Sequence, residues 1–168
     1  MLATSVLGLT VRVIAPTPVR ADRRFAVDVR AGTGVSIGGG DGQATAHRTP
    51  TYVEAGATSW LDDEAHVLLG GSVRVEVEDR VSVGGVVRAG LRAELGPLEL
   101  RPFIGLAAIL APYTLIGPEA GLVVSVELAA PVSILAFVCV DGWLFGSDLA
   151  PSTALFMGNG GLGVEVAL

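Results

Sequence analysis

Two histidines, His47 and His66, and one cysteine, Cys139, are the side chains best suited to proton transfer or nucleophilic attack near neutral pH. A lipid hydrolase would need such a histidine beside a Ser or Thr hydroxyl and a carboxylate. Ser59 and Ser72 flank His66 in the chain, but no spacing among them is diagnostic, and His66 reads as a turn or rim residue. His47 falls in a polar stretch and reads as solvated. Cys139 sits inside the apolar run 134–140, with no activating partner nearby in sequence and no second cysteine for a disulfide, so it reads as packing. The run Gly38-Gly39-Gly40-Asp41-Gly42 suggests a phosphate cradle or a calcium loop. A phosphate loop needs a following helix and usually a lysine. A calcium loop needs several regularly spaced carboxylates. Neither pattern is present, and the run reads as a surface loop. No catalytic, metal or cofactor site is predicted, and an enzyme is not expected.

A different set of residues carries a stronger pattern. Asp28, Arg30, Glu54, Arg74, Glu76, Arg88, Arg92, Glu94, Glu99, Arg101, Glu119, Glu127 and Glu165 alternate with aliphatic residues at a spacing of two. In a β-strand, successive side chains point to opposite faces. The period therefore puts every one of these charges on the face opposite the aliphatics. Across a two-residue turn at Gly96-Pro97, Glu94 is diagonal to Arg101 and Arg92 to Glu99, which suits a lattice of buried ion pairs. A proton or ion path along the same line of charges is the alternative reading.

The strands that must hold these charges are legible as alternating runs. The first begins at Arg24, with Phe25, Val27, Val29, Ala31, Thr33, Val35 and Ile37 on one parity. Residues 38–50 read as a long loop. Further strands are predicted at 51–61, 66–77, 81–95, 98–110, 115–128, from 132 to about 140, and in the segment that ends at 168. Register can be read from phase, because a one-residue slip would exchange the two faces. A three-residue loop at 78–80 pairs Val75 with Val83. The turn at 96–97 pairs Leu95 with Leu98 and Ala93 with Leu100. A loop at 129–131 pairs Leu128 with Val132. Pro102 and Pro118 fall within strands and predict local bulges. Tyr52, Trp60, Tyr113, Trp143, Phe145 and Phe156 lie near strand ends, as interfacial aromatic girdles do. Phe103 and Phe137 take the charged parity.

Composition narrows the surroundings. Of 168 residues, 51% are hydrophobic and only 17% charged, and mean hydropathy is +0.61, high for a soluble domain. Yet no apolar run reaches the roughly 18 residues of a spanning helix. Strands alternating between lipid and a lumen reconcile the two facts. A net charge of −6 without basic runs excludes a nucleic-acid partner. A secreted soluble barrel that binds an apolar ligand, and a helical inner-membrane protein, are the competing classes; placement of Pro and Glu disfavours the latter.

From residue 24 to 168 the chain resembles the small outer-membrane β-barrel superfamily of the OmpA transmembrane domain and OmpX. The resemblance is carried by the alternating segments and by the ending Gly161-Leu162-Gly163-Val164-Glu165-Val166-Ala167-Leu168. It implies an all-β, eight-stranded antiparallel up-and-down transmembrane barrel over residues 22–168. It also implies contact with outer-membrane lipid, insertion by the outer-membrane assembly machinery, and a monomer. Residues 1–21 read as a degraded export signal or an N-terminal arm. The expected role is structural, adhesive or surface-interacting, with a barrel enzyme acting on lipid as the alternative.

Overall fold

The computed structural model describes residues 24–40, 43–62, 64, 66–78, 81–147, 149 and 153–168. The predicted signal or arm at 1–21 lies outside the described residues. The elements are β1 (Phe25–Gly40), β2 (Gln43–Arg48), β3 (Tyr52–Trp60), β4 (Val67–Glu76), β5 (Ser82–Leu91), β6 (Ala93–Leu95), β7 (Leu98–Ala111), β8 (Leu115–Ala129), β9 (Val132–Trp143), β10 (Phe145–Gly146) and β11 (Leu155–Ala167). Each of β3, β4, β5, β7, β8, β9 and β11 pairs antiparallel with its sequence neighbour in the wall. β11 then pairs with β1, and β1 with β3, which closes an eight-stranded up-and-down barrel. β6 and β10 continue β5 and β9 past short breaks, and β2 folds back on β1. Among the described residues there is no helix.

The registers predicted from phase are found: Val75 opposite Val83, Leu95 opposite Leu98, and Ala93 opposite Leu100. Gly96 takes φ 63°, the left-handed conformation that a two-residue hairpin needs and a side chain resists. The 129–131 loop differs. Ala129, not Leu128, pairs with Val132, and Leu128 forms a bulge. The bulge restores the phase, so Val126 still faces Ile134.

The prolines mark the other irregularities. Opposite Pro102 the ladder loses two pairs, Leu91 with Pro102 and Arg92 with Arg101, which is what separates β5 from β6. Proline has no N–H to give. On the opposite side of the strand the Arg92 amide continues the ladder with β4, donating to the His66 carbonyl 2.7 Å away. Beside Pro118, pairing passes from Glu119–Asp141 to Ile116–Phe145, three residues on one side against four on the other. The bulge predicted for Pro118 is therefore present, whereas Pro102 makes a gap. Both rings face outward, clear of the packed interior.

Two expectations are corrected. The 38–50 segment is not one long loop: β1 runs on to Gly40, and β2 pairs with it from Val35↔Arg48 to Gly40↔Gln43. A Gly-rich polar segment carries no alternation of aliphatic and polar residues, so phase could not reveal the hairpin. The aromatics also divide differently. Tyr52, Trp60 and Trp143 are buried inside, while Phe25, Phe145 and Phe156 lie outside. Strand parity overrides proximity to the strand end: Tyr52 shares its face with Glu54, and Trp143 shares its face with Cys139.

The wall itself is sorted by charge. Outward positions include Val29, Leu69, Val87, Ile104, Val138 and Leu162, all exposed. Within the barrel strands no charged residue takes the outward parity.

Candidate functional site in the barrel interior

Inward side chains need room, and glycine provides it. A Cβ on Gly121 would lie 2.6 Å from the tip of the Phe103 ring, and one on Gly32 would lie 2.9 Å from the tips of both Phe137 and Tyr52. Small residues on one strand thus accept the long ones of the next. The interior then builds up in layers. At the end that holds both described termini, Ala26, Trp60 and Leu68 form an apolar plug. At the other end, Val86, Ala107, Ile109, Leu115 and Trp143 form a second, with Tyr113, Leu155 and Met157 against it. The charges lie between, around a cluster of Tyr52, Phe103, Val123, Leu135, Phe137 and Cys139.

Of the thirteen charges predicted inside, ten are buried: Asp28, Arg30, Glu54, Arg74, Glu76, Arg88, Glu99, Arg101, Glu119 and Glu165. Arg92 and Glu127 are partly buried. Glu94 is the exception, with a side chain 47% exposed beside the Gly96 turn. The strand period places it inward, but β6 ends there, so its carboxylate reaches water.

The structure sorts these charges into two networks. Near the 96–97 turn, Arg92 contacts Glu94 at 2.6 Å and Glu99 at 3.1 Å, and Arg101 contacts Glu99 at 3.3 Å and Glu165 at 2.6 Å. The diagonal between Arg92 and Glu99 is therefore made, whereas Arg101 turns to Glu99 and Glu165 rather than Glu94. Arg30 donates through Nε and Nη2 to Asp28, two residues back on β1, at 2.6 and 3.2 Å.

The second network occupies mid-height. Arg88 donates through Nη2 and Nη1 to Glu54, and through Nε to Glu119 at 2.6 Å. Arg74 reaches Glu54 at 3.0 Å, Glu119 at 2.8 Å and Asp141 at 3.1 Å. Each guanidinium also lies over a ring: Arg74 over Tyr52 at 4.6 Å and Arg88 over Phe103 at 5.1 Å. The planar fork of arginine, with five donors and a stackable face, suits this crowded position. Glu76, nearer the Trp143 end, accepts from the Ser82 hydroxyl and from Tyr113 Oη.

Sequence reading missed Asp141 and Asn159. Both are buried, and Asn159 Nδ2 donates to Asp141 Oδ2 at 2.8 Å. The signal for Asp141 is in the sequence: it continues the inward parity of Phe137 and Cys139, one residue past the end at about 140 that the aliphatic alternation predicts for the seventh strand. Cys139 packs in the middle cluster as expected, and its sulfur lies within 4.8 Å of carboxylate oxygens of Glu119 and Asp141. A metal ion there would sit against the Arg74 guanidinium, which already spans both carboxylates.

The histidines do not join this interior. His66 is exposed at the turn between β3 and β4, with Nδ1 3.3 Å from Glu64 and 3.7 Å from Asp62. Asp62 accepts the backbone N–H of Val67 at 2.7 Å and of His66 at 3.0 Å, which holds its carboxyl below the usual range. Ser59 donates to the Arg24 carbonyl, and Ser72 lies beside Arg88. Neither hydroxyl is bonded to His66. His47 is exposed on β2.

A hollow of about 30 Å³ lies between the two networks, lined by Asp28, Arg30, Arg88, Arg101 and Phe103 among others. That holds a water or two. The arrangement is a filled barrel, cross-braced by charge and stoppered by apolar side chains at both ends.

No protein-family model matches the chain, and no curated protein matches it in sequence. Solved structures do. Neisserial surface protein A aligns over 86% of this chain and 97% of its own, at 12% identity and a TM-score of 0.56. The N-terminal β-barrel domain of Pseudomonas aeruginosa OprF aligns over 87% and 98%, at 11% identity and a TM-score of 0.53. The fold is that of the small eight-stranded outer-membrane β-barrels.

Proposed function

We propose that this chain is an integral β-barrel of a bacterial outer membrane, with a structural, adhesive or surface-interacting role and no enzymatic activity. The observation that carries the reading is the inside-out sorting of charge: an uncharged outer wall around an interior braced by arginine and carboxylate. In water that arrangement would expose the aliphatic belt, whereas in lipid it removes the belt from water. A soluble barrel that carries an apolar ligand needs the reverse, an apolar hollow inside. The fold shared with outer-membrane barrels supports the same location. In this reading lipid is the partner of the outer face, the barrel is a monomer, and the assembly machinery inserts it.

Cell fractionation tests the proposal. Recovery in the outer membrane, with gel migration that shifts on boiling, is expected; recovery in the soluble fraction without detergent would overturn it. Orientation follows from the longer connections facing outward. The turns near 61–66, 96–97 and 130–131 then face the periplasm, and the β1–β2 hairpin faces the medium. Protease added to whole cells is expected to cut near 38–50 and spare 61–66; the opposite pattern would invert the topology.

Conduction follows from the filled lumen. Reconstituted in a planar bilayer, the protein is expected to pass little or no stable current. Large, long-lived single-channel steps would show that the braced interior opens.

A further inference from the structure

The mid-height network is unbalanced. Two guanidiniums, Arg74 and Arg88, serve three carboxylates, Glu54, Glu119 and Asp141, and all five residues are buried. With every acid ionised, one negative charge would be left over, between apolar clusters that keep bulk water away. A buried charge without a partner is costly enough that proteins neutralise it. The nearest further cation on β1, Arg30, is committed to Asp28 through two nitrogens.

The donors show where the deficit falls. Glu54 receives Arg74 Nε and two nitrogens of Arg88. Glu119 receives Arg74 Nη2 and Arg88 Nε and Nη2. Asp141 receives Arg74 Nη1 and Asn159 Nδ2, both on Oδ2, and its buried Oδ1 has no N–H or O–H donor. Asp141 and Glu119 are directly opposite on β9 and β8, with oxygens within 4.8 Å. We propose that this carboxyl pair is a proton-binding site: one proton, carried on Asp141 Oδ1 and shared with Glu119, completes the network.

The groups facing the pair are Tyr52 and Glu54 from β3, Arg74 from β4, Arg88 from β5, Cys139 from β9 and Asn159 from β11. Neither guanidinium has a charge to spare, and the Tyr52 hydroxyl, Cys139 thiol and Asn159 amide are neutral. The folded barrel holds one proton that the unfolded chain, with its carboxyls ionised at neutral pH, does not. Stability therefore falls as pH rises above the range of the unfolded carboxyls, the folding equilibrium constant dropping about tenfold per pH unit, and the fall levels off once the folded pair has given the proton up.

Infrared spectroscopy of the full chain folded in lipid vesicles tests this. A protonated-carboxyl C=O band, shifted by D₂O, is expected in the wild type at neutral pH and absent in Asp141→Asn. The denaturation midpoint of the wild type should fall on going from neutral to alkaline pH, and that of Asp141→Asn should not. Should Asp141→Asn fail to fold, Glu119→Gln also removes the pair and is expected to lose the band. A wild type without the band overturns the proposal, as does a band that survives in both variants. A stability that follows Na⁺ concentration at fixed pH overturns it too, since the occupant would then be a metal cation.

Discussion

Replacing Ile104 by arginine is expected to lower the stability of the lipid-folded barrel by about 2–4 kcal/mol, the cost of an outward Arg near the bilayer midplane. Ile104 lies near the middle of β7, between Ala89 and Ala120, and is 70% exposed on the outer face. Its surroundings in a membrane are acyl chains, which offer a guanidinium no hydrogen bond. Leu95 is also outward and exposed, but it adjoins the Gly96 turn. Leu95→Arg should cost about 0–1 kcal/mol, because the side chain reaches the headgroups. Denaturant titration of both variants in vesicles measures the difference. Equal costs at the two positions would mean that the outer wall does not cross lipid.

Loss of Arg88 is the second large effect. Arg88→Met keeps much of the stem over Phe103 but leaves Glu54 and Glu119 with Arg74 alone. Breaking a buried ion pair from one side costs about 3–5 kcal/mol, chiefly through the stranded charge. Adding Glu119→Gln to Arg88→Met should recover part of that loss, because the second change removes a stranded carboxylate. At the surface the same chemistry is nearly free: Arg48 contacts Glu78 at 2.8 Å with side chains 66% and 39% exposed, and Arg48→Ala should cost less than about 1 kcal/mol. Thermal or urea unfolding of the three variants separates these cases. An Arg88→Met barrel as stable as wild type would show that the mid-height network does not hold the wall together.

Most of the wall was legible because a barrel with an aliphatic outer face and a charged interior penalises every error of phase. One slipped residue would turn Arg74 or Glu119 onto the aliphatic outer face, so the pattern specifies strand, face and register together. Legibility ended where that penalty ends. Beyond Ile37 the glycines and polar residues of the β1–β2 hairpin carry no alternation. Near strand ends, Tyr52, Trp60 and Trp143 suit either an interfacial girdle or the interior, and position along the chain pointed the wrong way where parity pointed the right one. Asp141 was lost by ending a strand early. The partners within the lumen were the least legible. Strand spacing placed Arg101 diagonal to Glu94 and Arg92 diagonal to Glu99, but only three-dimensional closure brings Glu165 of β11 to Arg101, or sets Arg74 of β4 against Asp141 of β9.

That closure also bears on what the chain exposes before the barrel is complete. β1 and β11 pair along their lengths, from Ala26↔Ala167 to Gly38↔Leu155, so the seam joins the two ends of the described chain. Until the last strand is in place, β1 presents a long row of unsatisfied amides and carbonyls. No shorter, partly finished cylinder can hide it. Such an edge invites pairing with other chains, and contacts so distant in sequence form slowly. The closed eight-stranded wall offers no edge of its own, so the chain before closure is more open to such pairing than the barrel after it.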